Sequence, residues 1–510
     1  MKQILLFLYF FTISAASQAP VTQWTKCLGG SSTDELNGIK ATSDGGAIVI
    51  GTTQSDDGDI TDPPGYIDFW IVKLDAAGAV QWQKTYGSNN TDYAYAIDQT
   101  ADGGYIFTGM AGSTDGDVTS SAYGSQIWVV KLDVSGNMQW QKTFGGSNQE
   151  YGYSVRQTTD GGYIVAGSSA SNDGNVTGNH GDFDVWILKL SATGTLQWQK
   201  SYGGSLFDEA YSIKQTSDGG YVVAAFTDSN DGNVTGFHGF YDIWILKLNA
   251  SGILMWQKTV GGTGQERPND IIVTTDNNYM VVGFTNSTDG DSTGTYLGVD
   301  GWVVKLSAAG VVQWQHTYGG NSQDVLTGIV QTPDGFALTG STSSNDSGDI
   351  TGSHPSSDAW VFKINTSGAI QWQKYFGNNA IDRFTGIQKA TDGGLLLAGS
   401  TMGPSIEGVP THSGFVINDD YLVVKLSPTL GTEDFTDRQH LIVYPNPVTD
   451  AVHFSNGNIN AVEVYDSSGR LLRSNAVHNN TLVMPDLATG CYIIKAYDGA
   501  QVSVLRVVKQ

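Results

Sequence analysis

Six times along the chain an acidic turn recurs: Asp57-Gly58-Asp59, Asp115-Gly116-Asp117, Asp173-Gly174-Asn175, Asp231-Gly232-Asn233, Asp289-Gly290-Asp291 and, shifted, Asp346-Ser347-Gly348-Asp349. Carboxylate and amide oxygens gathered on a glycine turn are the hard ligands that calcium takes. The same residues build Asx turns, in which the side chain bonds a nearby backbone N–H. None of the six completes the D-x-[DN]-x-[DN]-G calcium loop with its distant glutamate. Asp57, Asp59, Asp115, Asp117, Asp173, Asp231, Asp289, Asp291 and Asp349 are therefore candidate weak calcium ligands set against plain turns. Calcium is the one cofactor the sequence offers.

The segments around these turns also carry aromatic residues: Tyr66, Tyr123, Phe183, Phe237, Phe240, Tyr241 and Tyr296. Exposed on a loop, such rings stack on sugars or anchor a protein partner. His180, His238, His354 and His412 fall at matching offsets, but in different repeats. Zinc would need its ligands converging on one ion, so loop packing is the expectation for them. No G-x-S-x-G, H-E-x-x-H or P-loop is present, and no residue is singled out as catalytic. A carboxylate pair of the glycosidase kind would be hidden among the 50 acidic residues.

These residues are positioned by a repeat. Trp24, Trp82, Trp140, Trp198, Trp256, Trp314 and Trp372 stand 58 residues apart, and so do Trp70, Trp128, Trp186, Trp244, Trp302 and Trp360. Seven copies run from about Gln23 to about Leu430, the last with Leu422 in the second tryptophan place after a four-residue insertion. Each copy holds four short segments rich in aromatic and β-branched residues, separated by Gly, Asn and Asp. Four antiparallel strands repeated seven times predict an all-β chain with a seven-bladed β-propeller, an open solenoid being the alternative. The strand at Gln23–Leu28 is expected to complete the last blade beside Tyr421–Leu426. The tryptophans are expected between blades. Two lysine series (Lys73 to Lys425, and Lys26 to Lys374) and the acids Asp34, Asp92, Glu150, Asp208, Glu266, Asp324 and Asp382 are expected to form blade-level bonds and ion pairs. The aspartates of the Asp-Gly-Gly hairpins, Asp44 to Asp392, are expected in turns. The irregular stretch Met402–Asp420 is the expected place for any odd cluster.

The net charge of −24 disfavours a nucleic-acid ligand. Met1-Lys2, an apolar run over Ile4–Ile13 and small residues to Ala16 make a secretory signal over residues 1–16, too short to span a bilayer. No later segment is apolar enough to cross a membrane. Cys27 and Cys491 are the two cysteines, and neither a disulfide, a metal nor a nucleophile role is expected. The boundaries that follow are a propeller over 20–430, a polar linker over 431–440 and a last module over 441–510.

That module reads as a small β-sandwich of the immunoglobulin-like kind. It carries Tyr444-Pro445-Asn446-Pro447, Val464-Tyr465-Asp466 with Gly469-Arg470-Leu471, Gly490-Cys491-Tyr492-Ile493-Ile494, and Arg506-Val507-Val508-Lys509. In this order, at the extreme C-terminus, these residues resemble the C-terminal sorting domain of the type IX (Por) secretion system of Bacteroidota. The resemblance covers about Leu441 to Gln510 and gives Tyr444, Pro445, Asn446, Pro447, Gly469, Gly490, Tyr492 and Lys509 as sorting-motif positions. It implies Sec export, passage through the outer membrane by the type IX machinery, and delivery to the cell surface or the medium. The function expected is a non-catalytic adhesion propeller with a carbohydrate or protein ligand. A secreted polysaccharide-degrading enzyme or a structural surface component is the alternative.

Overall fold

The computed structural model describes residues 19–62, 65–119, 124–294, 296, 298–353, 356–403, 405–406, 408–412, 418–428, 443–444, 446–454, 459, 461–466, 470–477, 480–498 and 501–510. The secretory signal expected over residues 1–16 lies outside these residues. The chain divides into two compact units, Met1–Thr429 and Leu430–Gln510. The described residues form strands and no helix, so no helix is long and apolar enough to cross a membrane.

Unit 1 is a β-propeller, in which the described residues form seven four-stranded antiparallel sheets. Blade 1 comprises Asp34–Ala41, Ala47–Thr53, Asp68–Leu74 and Val80–Tyr86. Blades 2 to 6 repeat this order, with first strands Tyr93–Gln99, Glu150–Gln157, Asp208–Gln215, Glu266–Val273 and Asp324–Thr332. Blade 7 opens with Asp382–Lys389 and takes its fourth strand from the start of the chain, Thr22–Leu28. There Thr25 pairs with Val424 and Cys27 with Leu422, so the two ends of the repeat array are zipped in one sheet. The first strands touch in sequence around a ring, and that of blade 7 returns to that of blade 1.

Burial follows from this stacking. The second and third strands of a blade are covered on both faces, so Ala47–Thr53 and Asp68–Leu74 are buried at every position. Such strands need continuous apolar runs rather than alternation. The two tryptophan series part company here. Trp70, Trp128, Trp186, Trp244, Trp302 and Trp360 are at most 1% exposed, as expected for packing between blades. The other series lies on outer strands and is mostly half-buried. Its rings cap the turn of the next blade: a Cβ on Gly136 would come within 2.8 Å of Trp82, and Gly136 has φ +81°. Glycine is required there both for space and for backbone.

The polar repeats hold blades together from within. Lys73, Lys131, Lys189 and Lys247 reach the hairpin carboxylates Asp44, Asp102, Asp160 and Asp218 at 2.8–2.9 Å. Burial works against the charge of Asp44, yet bonds from Lys73, Thr42 and Gly46 hold its carboxyl at about 2. The second lysine series lies on outer strands and is mostly half-buried. There, among the described residues, Lys258 approaches Asp291 at 3.9 Å and Lys374 donates to the Thr22 hydroxyl at 2.6 Å, both across to the next blade. The acids of the Asp34 series are all buried. Asp34 accepts from Gly30 N–H at 2.7 Å and Ser55 Oγ at 2.9 Å, tying a blade's entry to the loop that follows its second strand.

Unit 2 packs a three-stranded sheet and the four-stranded sheet built from Ala461–Asp466, Leu471–Ala476, Gly490–Asp498 and Gln501–Lys509. Val443, Val452, Phe454, Val462, Val464, Ile494 and Val507 share its core, which makes it a sandwich.

Candidate functional site

Each first strand carries a bulge at the same place. The pairing register skips one residue between Leu36 and Gly38, between Ala94 and Ala96, and at the matching step of every other blade. A bulged residue leaves the ladder, and its side chain is re-aimed. The seven skipped residues are Asn37, Tyr95, Tyr153, Tyr211, Asn269, Thr327 and Thr385. All seven line one cavity of about 310 Å³ at the centre of the ring. That lies within the range of small-ligand pockets.

The ring is not sevenfold in chemistry. On blades 1, 5, 6 and 7 the bulged side chain donates to the next blade's backbone. Asn37 Nδ2 reaches Ala94 O at 3.0 Å, Asn269 Nδ2 reaches Leu326 O at 2.7 Å, Thr327 reaches Phe384 O at 2.7 Å and Thr385 reaches Leu36 O at 3.0 Å. Blades 2, 3 and 4 give up that staple for tyrosine. Tyr95 and Tyr153 lie 4.8 Å apart between centroids, and Tyr153 and Tyr211 are stacked at 5.1 Å and 14°. Burial pushes all three phenols up, so each remains a neutral hydroxyl.

From this trio the aromatic surface continues. Tyr151 stacks on Tyr153 at 5.9 Å and meets Phe183, which stacks on Phe207. Tyr211 meets Phe226, Phe226 meets Tyr241 at 5.3 Å, and Tyr241 meets Phe240 at 4.6 Å. The Arg267 guanidinium sits 4.3 Å over Phe226. Phe207 and Phe240 end these chains exposed, at 40% and 57%. The result is one array of rings, from the channel wall of blades 2 to 4 to the loops of blades 3 and 4. Glu209, beside it, is raised by burial and accepts from the Tyr211 hydroxyl at 3.3 Å.

The loop aromatics named from sequence divide across this picture. Phe183, Phe240 and Tyr241 belong to the array. Tyr66 and Tyr296 are exposed on blades 1 and 5. Phe237 packs against the core between blades 3 and 4. Tyr123 lies outside the described residues. Sequence reasoning missed the tyrosine trio. The signal was present, since one position of an otherwise regular strand reads Asn, Tyr, Tyr, Tyr, Asn, Thr, Thr at the 58-residue step.

The acidic loops clamp chain crossings. Asp57, Asp173 and Asp231 accept the N–H of Ser31, Ser147 and Ser205 at 2.7 Å, and Asp115 and Asp289 those of Asn89 and Thr263 at 2.8 Å. Asp59 and Asp117 accept from Gly29 and Gly87 at 3.2 Å, and Asp291 from Gly261 at 3.4 Å. Asp349 donates its own N–H to Gly319 O at 2.8 Å. Each loop thereby grips the strand connection arriving from the preceding blade. Among the described residues no group of three or more His, Cys, Asp or Glu side chains is placed to hold a metal ion. His180 and His238 stay in their own blades, on Asp184 at 2.6 Å and on Asp242 at 2.8 Å, while His412 of blade 7 lies 3.5 Å from Asp59 of blade 1. His354 lies outside the described residues, as do residues 404, 407 and 413–417 of the irregular stretch after Met402.

In unit 2, Asn446 Oδ1 accepts the Val508 N–H at 2.9 Å, and the Lys509 ammonium donates to Thr449 O. Gly490 pairs with Lys509 across the last two strands, and the Tyr492 hydroxyl donates to Ala488 O at 2.7 Å. Pro447 follows Asn446 in the described bend and Tyr444 is 53% exposed. Pro445 and Gly469 lie outside the described residues.

Residues 442–510 match the family model of the secretion system C-terminal sorting domain. That tail implies export through type IX secretion to the cell surface or extracellular space. Among curated proteins the chain is similar to a regulatory protein, FlaEY, of Caulobacter vibrioides, 24% identical over 304 residues. The match takes in 53% of this chain and 31% of that protein, so the chain spans about a third of that relative's length. Among solved structures, the Pan2 WD40 domain of Neurospora crassa is similar at TM-score 0.43 and 10% identity, covering 81% of this chain and 97% of that one. An ulvan lyase, described as a new family of polysaccharide lyase, is similar at TM-score 0.43 and 11% identity, covering 73% and 93%. None of these likenesses carries a function to this chain.

Proposed function

We propose that the propeller is a non-catalytic binding module that holds a carbohydrate chain at the bulge ring and along the aromatic array of blades 2 to 4. The observation that carries this reading is the break in symmetry at one repeated position. Four blades spend the bulged residue on a backbone staple, and three consecutive blades present a ring instead. Aromatic faces gather apolar C–H surface while their hydroxyls serve as polar partners. Sugars offer both kinds of surface. Asp98 and Asp270 are each held by a lysine, Lys40 at 2.7 Å and Lys214 at 2.9 Å, whereas Glu209 accepts from the Tyr211 hydroxyl at 3.3 Å under the influence of the Arg267 charge. The lysine pairs favour retention of a ligand at Asp98 and Asp270, and Glu209 is the acid that a degrading activity would use. Entry by the Sec pathway through residues 1–16, and handling by the type IX machinery through residues 441–510, complete the reading.

The experiment is retention of the full chain on a panel of immobilised polysaccharides, with released reducing sugar assayed in parallel. Retention without release, weakened in Tyr153→Ala, supports a binder. Release of sugar contradicts it and favours a degrading enzyme. A soluble protein retained on nothing contradicts the carbohydrate reading and leaves a protein ligand or a structural role.

A further inference from the structure

Three residues after each bulge the first strands carry a second ring at the channel, toward the Asp-Gly-Gly hairpin face: Lys40, Asp98, Arg156, Lys214 on blades 1 to 4, and the uncharged Ile272, Val330 and Gln388 on blades 5 to 7. All of these positions except Asp98 line a second cavity of about 710 Å³. Its lining includes four cationic side chains, Lys40, Arg156, Lys214 and Lys389, against one carboxylate, Asp270. The chain as a whole has 26 basic and 50 acidic residues. A wall of this sign is therefore a concentration against the grain of the molecule.

The charges are unequally used. Lys40 is paired with Asp98 and Lys214 with Asp270. Arg156 makes no ion pair among the described residues, and Nη1 donates to Val155 O at 2.9 Å. The rest of its planar fork of N–H donors suits a carboxylate or sulfate. Burial lowers Lys214 to about 8, opposed by Asp270, with Arg156 and Lys40 lowering it further. An arriving anion would relieve that repulsion. Arg156 also lines the tyrosine cavity, so the aromatic and basic walls meet in one space.

We infer that this second ring is an anion site, built around Arg156 and Lys214, that selects acidic polysaccharides carrying uronate or sulfate groups. This rests on the carbohydrate reading above. It adds the substrate class: a sugar ring lies on the tyrosines while its anionic group is held by the guanidinium.

The test titrates the full chain with oligogalacturonate, a sulfated galactan oligomer, a neutral glucan oligomer and sodium sulfate, following intrinsic fluorescence. The acidic oligomers are expected to bind at least tenfold more tightly than the neutral one. Arg156→Gln is expected to cost about ten- to a hundredfold in acidic-oligomer affinity, with Arg156→Lys recovering part of the loss. Affinity is expected to fall with added salt. Neutral and acidic oligomers bound equally, and indifferently to Arg156→Gln, would overturn the inference and leave the tyrosine reading standing. Sodium sulfate bound at Arg156 as tightly as the acidic oligomers would overturn the polysaccharide assignment in favour of a free inorganic anion. No oligomer bound, by a chain with an unchanged melting midpoint, would overturn both readings.

Discussion

Tyr153 is the residue on which the site turns, since it touches a tyrosine on each side and a third on its own strand. Tyr153→Ala removes the middle of the platform. An aromatic contact contributes about 0.5–1.5 kcal/mol beyond area, so a loss of roughly two- to thirteenfold in polysaccharide affinity is expected, read by titration. A second residue-scale prediction concerns buried acids. Burial raises Asp208 to about 7, against bonds from Thr227, Gly204 and Ser229 that lower it, with Asp184 adding repulsion. Asp68 and Asp300 rise to about 6, burial again leading. Their folded values exceed the unfolded one of about 3.9, so protonation favours the folded chain. Their contribution is whole below about pH 4 and is lost as pH climbs through 6 to 7. The hairpin acids at about 2 act oppositely, losing their contribution only as pH falls from about 4 toward 2. The melting midpoint is therefore expected to rise between pH 8 and pH 5 and to fall below about pH 4. A midpoint that falls steadily from pH 8 to pH 5 would contradict this.

At the scale of the element, strand identity was legible and strand irregularity was not. Runs such as Asp68–Leu74 announce a buried strand by composition, and Asp-Gly-Gly announces its hairpin. The register could be read because the tryptophans recur at one interval. The bulge at Asn37, Tyr95 and Tyr153 has no signature of its own. It arises because the first strand must turn along the channel while staying paired to the second, and any residue can occupy the extra place. That is why the loop aromatics drew attention and the tyrosine trio did not. The two lysine series looked alike for a similar reason: sequence gives spacing, while the place of the strand in its blade, third or outer, decides how closely each lysine meets a carboxylate. The outer turns provide the element-scale prediction. Gly136→Val sets a side chain into the Trp82 ring at a backbone angle that favours glycine. A cost of about 1–3 kcal/mol is expected by denaturant titration, and a neutral outcome would contradict the packing described.

For the whole molecule, closure is the decisive feature. Thr22–Leu28 zips to Asp420–Leu426, although nearly the full length of the propeller lies between them. Removing the chain through Leu28 leaves Asp420–Leu426 as an open edge in a three-stranded blade. Such edges recruit other chains. A marked drop in melting midpoint with concentration-dependent scattering is expected, and an unchanged midpoint would contradict closure. The acidic loops of blades 1 to 5 hold backbone N–H groups where the chain enters each blade, so chelator is expected to leave the midpoint unchanged. A fall in chelator, restored by calcium, would instead make Asp57, Asp173 and Asp231 ligands. The sorting module was legible because its motifs are local and ordered along a short stretch. The ligand site was not, because it is assembled from one residue per blade.

The account stands most directly on whether sugar meets the tyrosines of blades 2 to 4. The measurement that decides it is retention of the full chain and of Tyr153→Ala, at equal melting midpoint, on immobilised polygalacturonate. The account predicts that the native chain is retained without release of sugar and that the variant is retained less. Equal retention of the two, or sugar released by the native chain, would contradict it.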